Sequence, residues 1–264
     1  MEFLTKEQVK AAAPSVFTSA KMTSTSEKYV HIPTDRIIED MEKMGWGVSK
    51  AVEVRARRNK GYQKHMLVFR NPDVVIQGND NDTVYPQILV TNSHDGKNSF
   101  QFTAGLFRVV CSNGLVIAAE QFADKKIRHM GYSFEEVQAI VSELVNQLPV
   151  TVEVMNKFKN TVLSKEQKVE FAKKAIETRF DKVNENQDII KDYGLNIEDI
   201  LKPTRKEDEG DDLWNVFNVL QEKVIDGDFE YISGVKLRKA RRIKNFKQDL
   251  KINQELYEIA SQFV

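Results

Sequence analysis

The sequence predicts an α+β protein, a small, mostly antiparallel sheet with helices on one face, followed by a helical region. Three observations carry this. Between Lys64 and Thr103, short apolar runs alternate with Asn-, Asp- and Gly-rich turns, the pattern of strands joined by tight connections. After Gly131, apolar residues recur at helical spacing behind Ser-led starts. No flexible linker separates the two parts, so they are expected to pack as one unit, with residues 1–30 as an N-terminal arm, 31–132 as the α+β core and 133–264 as the helical region.

The elements follow in order. Glu7 to Ala13 suits a short helix that stops before Pro14, and Ser15 to Ser26 reads as loop. Thr34 suits an N-cap, with Ile37, Ile38, Met41 and Met44 on one helical face and Gly45 able to take the left-handed position after it. A strand is expected from about Trp46 to Arg57. Asn59-Lys60-Gly61 then turns the chain into Lys64 to Arg70, where apolar residues on both sides place the strand inside the sheet. Asn71 to Asp82 reads as mostly loop and Thr83 to Thr91 as strand. Phe100 and Phe102 alternate with polar neighbours as in a half-buried strand. From Ala104 to Cys111 the spacing of Leu106, Val109 and Val110 fits a short buried helix, ended by Asn113-Gly114, with a strand from Leu115 to Ala119.

In the second half, Ser133 with Glu136 and Ser164 with Gln167 form capping boxes, and Asn196 caps a short helix that ends before Pro203. Leu213 to Ile225 is apolar nearly all round and should be buried. A loop containing Gly227 and Gly234 leads to a basic segment and a final helix.

A chain of 264 residues is long enough to bury a sizeable core. Its 41% hydrophobic and 30% charged residues are those of a globular protein. The net charge of zero hides an asymmetry: Lys236 to Lys251 is strongly basic, and Glu207 to Asp212 is acidic. The single cysteine, Cys111, excludes an internal disulfide and points to a reducing compartment. The N-terminus lacks the pattern of a secretory signal, and no window is apolar enough to span a bilayer, so a cytoplasmic location is expected.

Two kinds of candidate site stand out. The first is polar: Asn92-Ser93-His94-Asp95-Gly96, and the stretch holding Arg108, Cys111, Ser112, Asn113 and Gly114. His65, His94, Asp95 and Cys111 are metal-capable residue types, but their spacing matches no motif of fixed ligand geometry. Short polar side chains bonding their own backbone in a tight turn explain the first segment, and a core cysteine with an Asn-Gly helix stop explains the second. No cofactor or metal is therefore expected. The phosphate loop, the Gly-x-Ser-x-Gly elbow and the His-Glu-x-x-His pair are all missing from the sequence. The second kind is basic: Arg55, Arg57, Arg58, Lys60 and Lys64 around the first hairpin, and Arg238, Lys239, Arg241, Arg242 and Lys244 near the C-terminus. Clustered cations neutralise phosphates, and the interleaved Tyr62 and Phe246 offer surfaces on which bases can stack.

Several stretches carry a resemblance: YVHIPTDRIIEDMEKMGW, YQKHMLVFR, ILVTNSHDGKNSFQFTAGLFRVVCSNGLVI, DLWNVFNVLQEKVIDG and ARRIKNFKQDLKINQELYEIA. Together they resemble the phage/plasmid-like family classed as a domain of unknown function, over residues 29–264, with NSHDG and GLFRVVCSNGL as the most specific parts. Before the last helix this chain has a Lys/Arg mixture where relatives are rich in Arg and Thr, which keeps the charge and changes individual contacts. The resemblance implies a mobile-element context, in which DNA maintenance, recombination and evasion of host defence are common tasks. The expected function is non-enzymatic binding of single- or double-stranded DNA, with little sequence readout, in annealing, recombination or DNA maintenance. The first alternative is an anti-defence protein that binds and inhibits a host immune component. The second is a metal-dependent hydrolase using His94 and Asp95. A homo-oligomer is compatible with the sequence, and no membrane association is expected.

Overall fold

The computed structural model describes residues 2–56, 60–77, 83–98, 100–108, 114–115, 125–127, 133–146, 148–180 and 189–264. They divide into two compact units, Met1–Leu148 and Pro149–Val264. The architecture is α+β, with an antiparallel sheet in the first unit and a mainly helical second unit.

In the first unit, helix α1 (Lys6–Ala12) starts at a reciprocal capping box between Thr5 and Gln8. Pro14 opens a single 3₁₀ turn, Pro14–Phe17. The arm is part of the core, because Val9, Ala13 and Val16 are fully buried and Leu4 donates to the Val48 carbonyl. Helix α2 (Thr34–Lys43) buries Ile37, Ile38 and Met41. Its N-cap is Pro33, not Thr34: the Thr34 hydroxyl is drawn into side-chain bonds with His65 and Asn92 and is not available to cap.

Strands β1 (Gly47–Glu53), β2 (His65–Arg70), β3 (Ile76–Gln77), β4 (Thr83–Asn92), β5 (Phe100–Arg108), β6 (Gly114–Leu115) and β7 (Lys125–Ile127) form one antiparallel sheet. Its body is the order β1-β2-β4-β5. Strand β2 is buried from His65 to Phe69, so both of its faces are covered, as its continuous apolar run predicts. Helix α3 (Phe134–Asn146) follows, with the Ser133 hydroxyl accepting from the Glu136 N–H.

The helix expected from Ala104 is corrected. Residues 104–108 continue β5 and pair with β4 from Ile88↔Ala104 to Val84↔Arg108. The ten-residue β4 needs a ladder partner along its length, because buried backbone donors and acceptors must be satisfied. That requirement outweighs the helical spacing of a short apolar run. Val109 to Cys111, the proposed Asn113 stop and most of the strand expected at Leu115 to Ala119 lie outside the described residues.

The second unit contains α4 (Leu148–Asn160), α5 (Lys165–Glu177), α6 (Ile189–Asp192), α7 (Ile197–Leu201), α8 (Leu213–Asp226) and α9 (Phe246–Ser261). The capping box at Ser164 and Gln167 and the Asn196 cap form as the sequence predicts. Helix α8 is buried around nearly its whole circumference. Phe217 packs near Phe158, Phe171 and Trp214, and Phe158 stacks on Tyr257 of α9. The segment read as a loop after Gly227 is instead a hairpin, strands β8 (Glu230–Ser233) and β9 (Lys236–Lys239). Gly234, at φ +64°, takes the first of its two turn positions, where a tight hairpin turn calls for positive φ.

Candidate functional site

The NSHDG segment closes a buried polar network in the first unit. Asp95 Oδ1 accepts from the Ser93 hydroxyl at 2.7 Å and from the Lys97 N–H at 3.1 Å, and Gly96 turns at φ +73°. This is the side-chain-to-backbone turn that the sequence suggests. The arm locks it in place. Tyr29 donates its hydroxyl to the Ser93 carbonyl and the Met22 N–H bonds the His94 carbonyl. Burial, helped by the Asp95 carboxylate, pushes the Tyr29 phenol up to about 12.

His65 is the centre of the network. It is fully buried, its Nδ1 lies 3.0 Å from the Ser15 hydroxyl and 3.2 Å from the Gln63 carbonyl, and its Nε2 lies 2.9 Å from the Thr34 hydroxyl. The proton positions follow from the partners. The Gln63 carbonyl beside Nδ1 can only accept, and the Thr34 hydroxyl, whose oxygen also accepts from the Asn92 amide, has its own proton to give to Nε2. The ring proton then sits on Nδ1 and is donated to the Gln63 carbonyl. Burial pushes this imidazole down to about 4, which keeps it neutral at physiological pH. The rings of His31, His94 and His65 form a row, with centroids 4.5 and 5.2 Å apart.

These bonds tie the arm, α2, β2 and the turn after β4 to one another. Both His65 nitrogens are engaged, and Asp95 is engaged in its turn. No cluster of three or more His, Cys, Asp or Glu among the described residues is placed to hold a metal ion. Cys111, Ser112 and Asn113 lie outside the described residues; Arg108 ends β5 and Gly114 opens β6.

Of the first basic cluster, Arg55 and Lys60 are exposed, Lys64 is half-buried, and Arg57 and Arg58 lie outside the described residues. Tyr62 is half-buried, and its carbonyl accepts from the His94 N–H.

The second cluster is built on the β8–β9 ribbon. In its ladder Tyr231 pairs with Arg238 and Ser233 with Lys236, so these four side chains share one face. Glu230, Ile232, Leu237 and Lys239 take the other. A concavity of about 590 Å³ is lined by Arg179, Tyr231 and the run Lys236 to Arg241. Lys239 is 2.9 Å from Asp228, and Arg242 is 3.1 Å from Asp226, so these two cations are partly neutralised. Asp228 is held below its ordinary range and Lys239 above its own by their mutual hydrogen bond. Among the described residues Lys236, Arg238, Arg241 and Lys244 are exposed and have no carboxylate partner.

The base of the ribbon is fixed by its own backbone. Ala240 N–H donates to the Phe229 carbonyl and Ile243 N–H to the Ile225 carbonyl, both at 2.8 Å. Gly227, at φ +93°, lies so close to Ala240 that an added Cβ would meet its backbone at 2.7 Å. Arg179 donates to the carbonyls of Val224 and Arg241, and its guanidinium lies over the Phe229 ring. Sequence reasoning missed Arg179 and Tyr231 as members of this site. The available signal was Gly234-Val235 between two four-residue runs, a two-residue hairpin pattern that identifies Tyr231 as the partner of Arg238.

The fold and site define an α+β protein with a buried polar network in one unit and an exposed cationic ribbon in the other. Residues 21–257 match the family model described as a domain of unknown function (DUF932), and the chain belongs to that family. It is 30% identical over 263 residues to UPF0380 protein YfjQ, and 30% identical over 260 residues to UPF0380 protein YafZ, both of Escherichia coli K12. Each similarity covers 97% of this chain and 90% of the relative. No solved structure matches the chain significantly. No helix among the described residues is long and apolar enough to cross a membrane.

Proposed function

We propose that this protein binds nucleic acid without catalysing a reaction, and that the β8–β9 ribbon with its flanking cations is the contact surface. The observation that carries the reading is the concentration of exposed cations, Lys236, Arg238 and Arg241, with no carboxylate partner among the described residues, around Tyr231 on a ribbon with a fixed base. Several cations close together neutralise neighbouring phosphates and release counterions, and Tyr231 beside them is half-buried against Phe180, Tyr193 and Phe229, which holds it in place at the edge of the cationic face. The phage or plasmid setting implied by the sequence resemblance supports a role in annealing, recombination or DNA maintenance.

The test is fluorescence anisotropy with labelled single-stranded and duplex DNA from low to high salt. Binding that weakens steeply with salt is expected; affinity independent of salt, or no binding to either form, rejects the reading. The alternative, inhibition of a host defence protein, predicts instead a stoichiometric protein partner that survives nuclease treatment.

A further inference from the structure

The cations do not account for the end of the ribbon. Val235, at the tip, is 98% exposed, and Leu237 and Ile232, which face each other across the ladder, are 65% and 40% exposed. Gly234 beside the tip has nothing within 4 Å of where a Cβ would stand, so the turn projects into open space. The bare glycine backbone can approach a ligand closely, and it leaves Val235 as the leading side chain. Lys236 follows immediately behind and Arg238 two residues further, so charge flanks an apolar point.

We infer that the Gly234–Val235 tip is a wedge that enters a base step of duplex DNA end-on while Lys236 and Arg238 hold the adjacent phosphates. This rests on the nucleic-acid reading above and adds what the apolar tip does. Proteins that distort DNA insert an apolar side chain between bases and offset the unstacking with contacts to the backbone. The ribbon has that pairing of an apolar point with flanking cations, and its anchored base resists being pushed back. A valine cannot hydrogen-bond to base edges, so the wedge selects for steps that open easily and not for a base sequence.

A wedge binds best where stacking is already weakened. The experiment compares the affinity of the full chain for a duplex carrying a central mismatch with that for the matched duplex, in wild type and in Val235→Ser. Because Val235 contributes nothing to the core, the variant is expected to unfold at the wild-type denaturant concentration, which is checked in parallel. Wild type should prefer the mismatched duplex by about tenfold, and Val235→Ser should lose the preference while keeping its salt dependence. Equal wild-type affinity for the two duplexes, or a preference that survives in Val235→Ser, overturns the wedge and leaves electrostatic binding standing. Absence of wild-type binding to both duplexes overturns the nucleic-acid reading, and the wedge with it.

Discussion

Tyr231 and Arg238 are direct partners across the β8–β9 ladder, so the aromatic ring and the guanidinium leave the ribbon on the same side. Arg241 lines the same concavity, whereas Lys239 and Arg242 are each drawn toward an aspartate. The five cations picked out near the C-terminus are therefore unequal. Arg238→Gln combined with Arg241→Gln should weaken DNA binding about tenfold, and Lys239→Gln combined with Arg242→Gln by clearly less, in anisotropy titrations at one fixed salt concentration. Equal losses would show that the carboxylates do not distinguish these residues.

The neutral His65 makes stability depend on pH with a defined sign. Its folded value of about 4 lies below the ordinary 6.5, so the unfolded chain binds more protons between those limits. The contribution is complete above pH 6.5 and is lost as the pH falls through the folded value. It amounts to roughly 3 kcal/mol by linkage. Urea unfolding from pH 7 to pH 4 should show this fall, and His65→Gln should flatten it while lowering stability at pH 7.

Gly227 is constrained twice, by its positive φ and by the Ala240 backbone beneath it. Gly227→Ala should destabilise the second unit by about 2 kcal/mol or more, read as a lower urea midpoint. Gly234→Ala, at a turn surrounded by open space, meets only the backbone penalty and should cost less.

Much of the helical unit was legible because its signals are local. Ser164 and Gln167 are three residues apart, and the apolar circumference of α8 lies within fourteen residues. Strands β2 and β4 were legible for the same reason. The polar network was only half legible: Asp95-Gly96 announces a turn, but His65 meets Ser15 and Thr34 across separations of 50 and 31 residues, which no local pattern encodes. The β8–β9 hairpin was missed because β9 is exposed at every position and lacks the alternation that betrays a half-buried strand. The residues 104–108 were misread because the demand of β4 for a partner is tertiary.

The central claim is that the ribbon contacts phosphates, and the salt dependence of DNA affinity measures that contact directly. Each phosphate contact contributes about 0.9 to the slope of log affinity against log salt. Replacing Lys236, Arg238 and Arg241 together by Gln should lower the wild-type slope by about 2 to 3. A slope unchanged by that triple substitution would contradict the account.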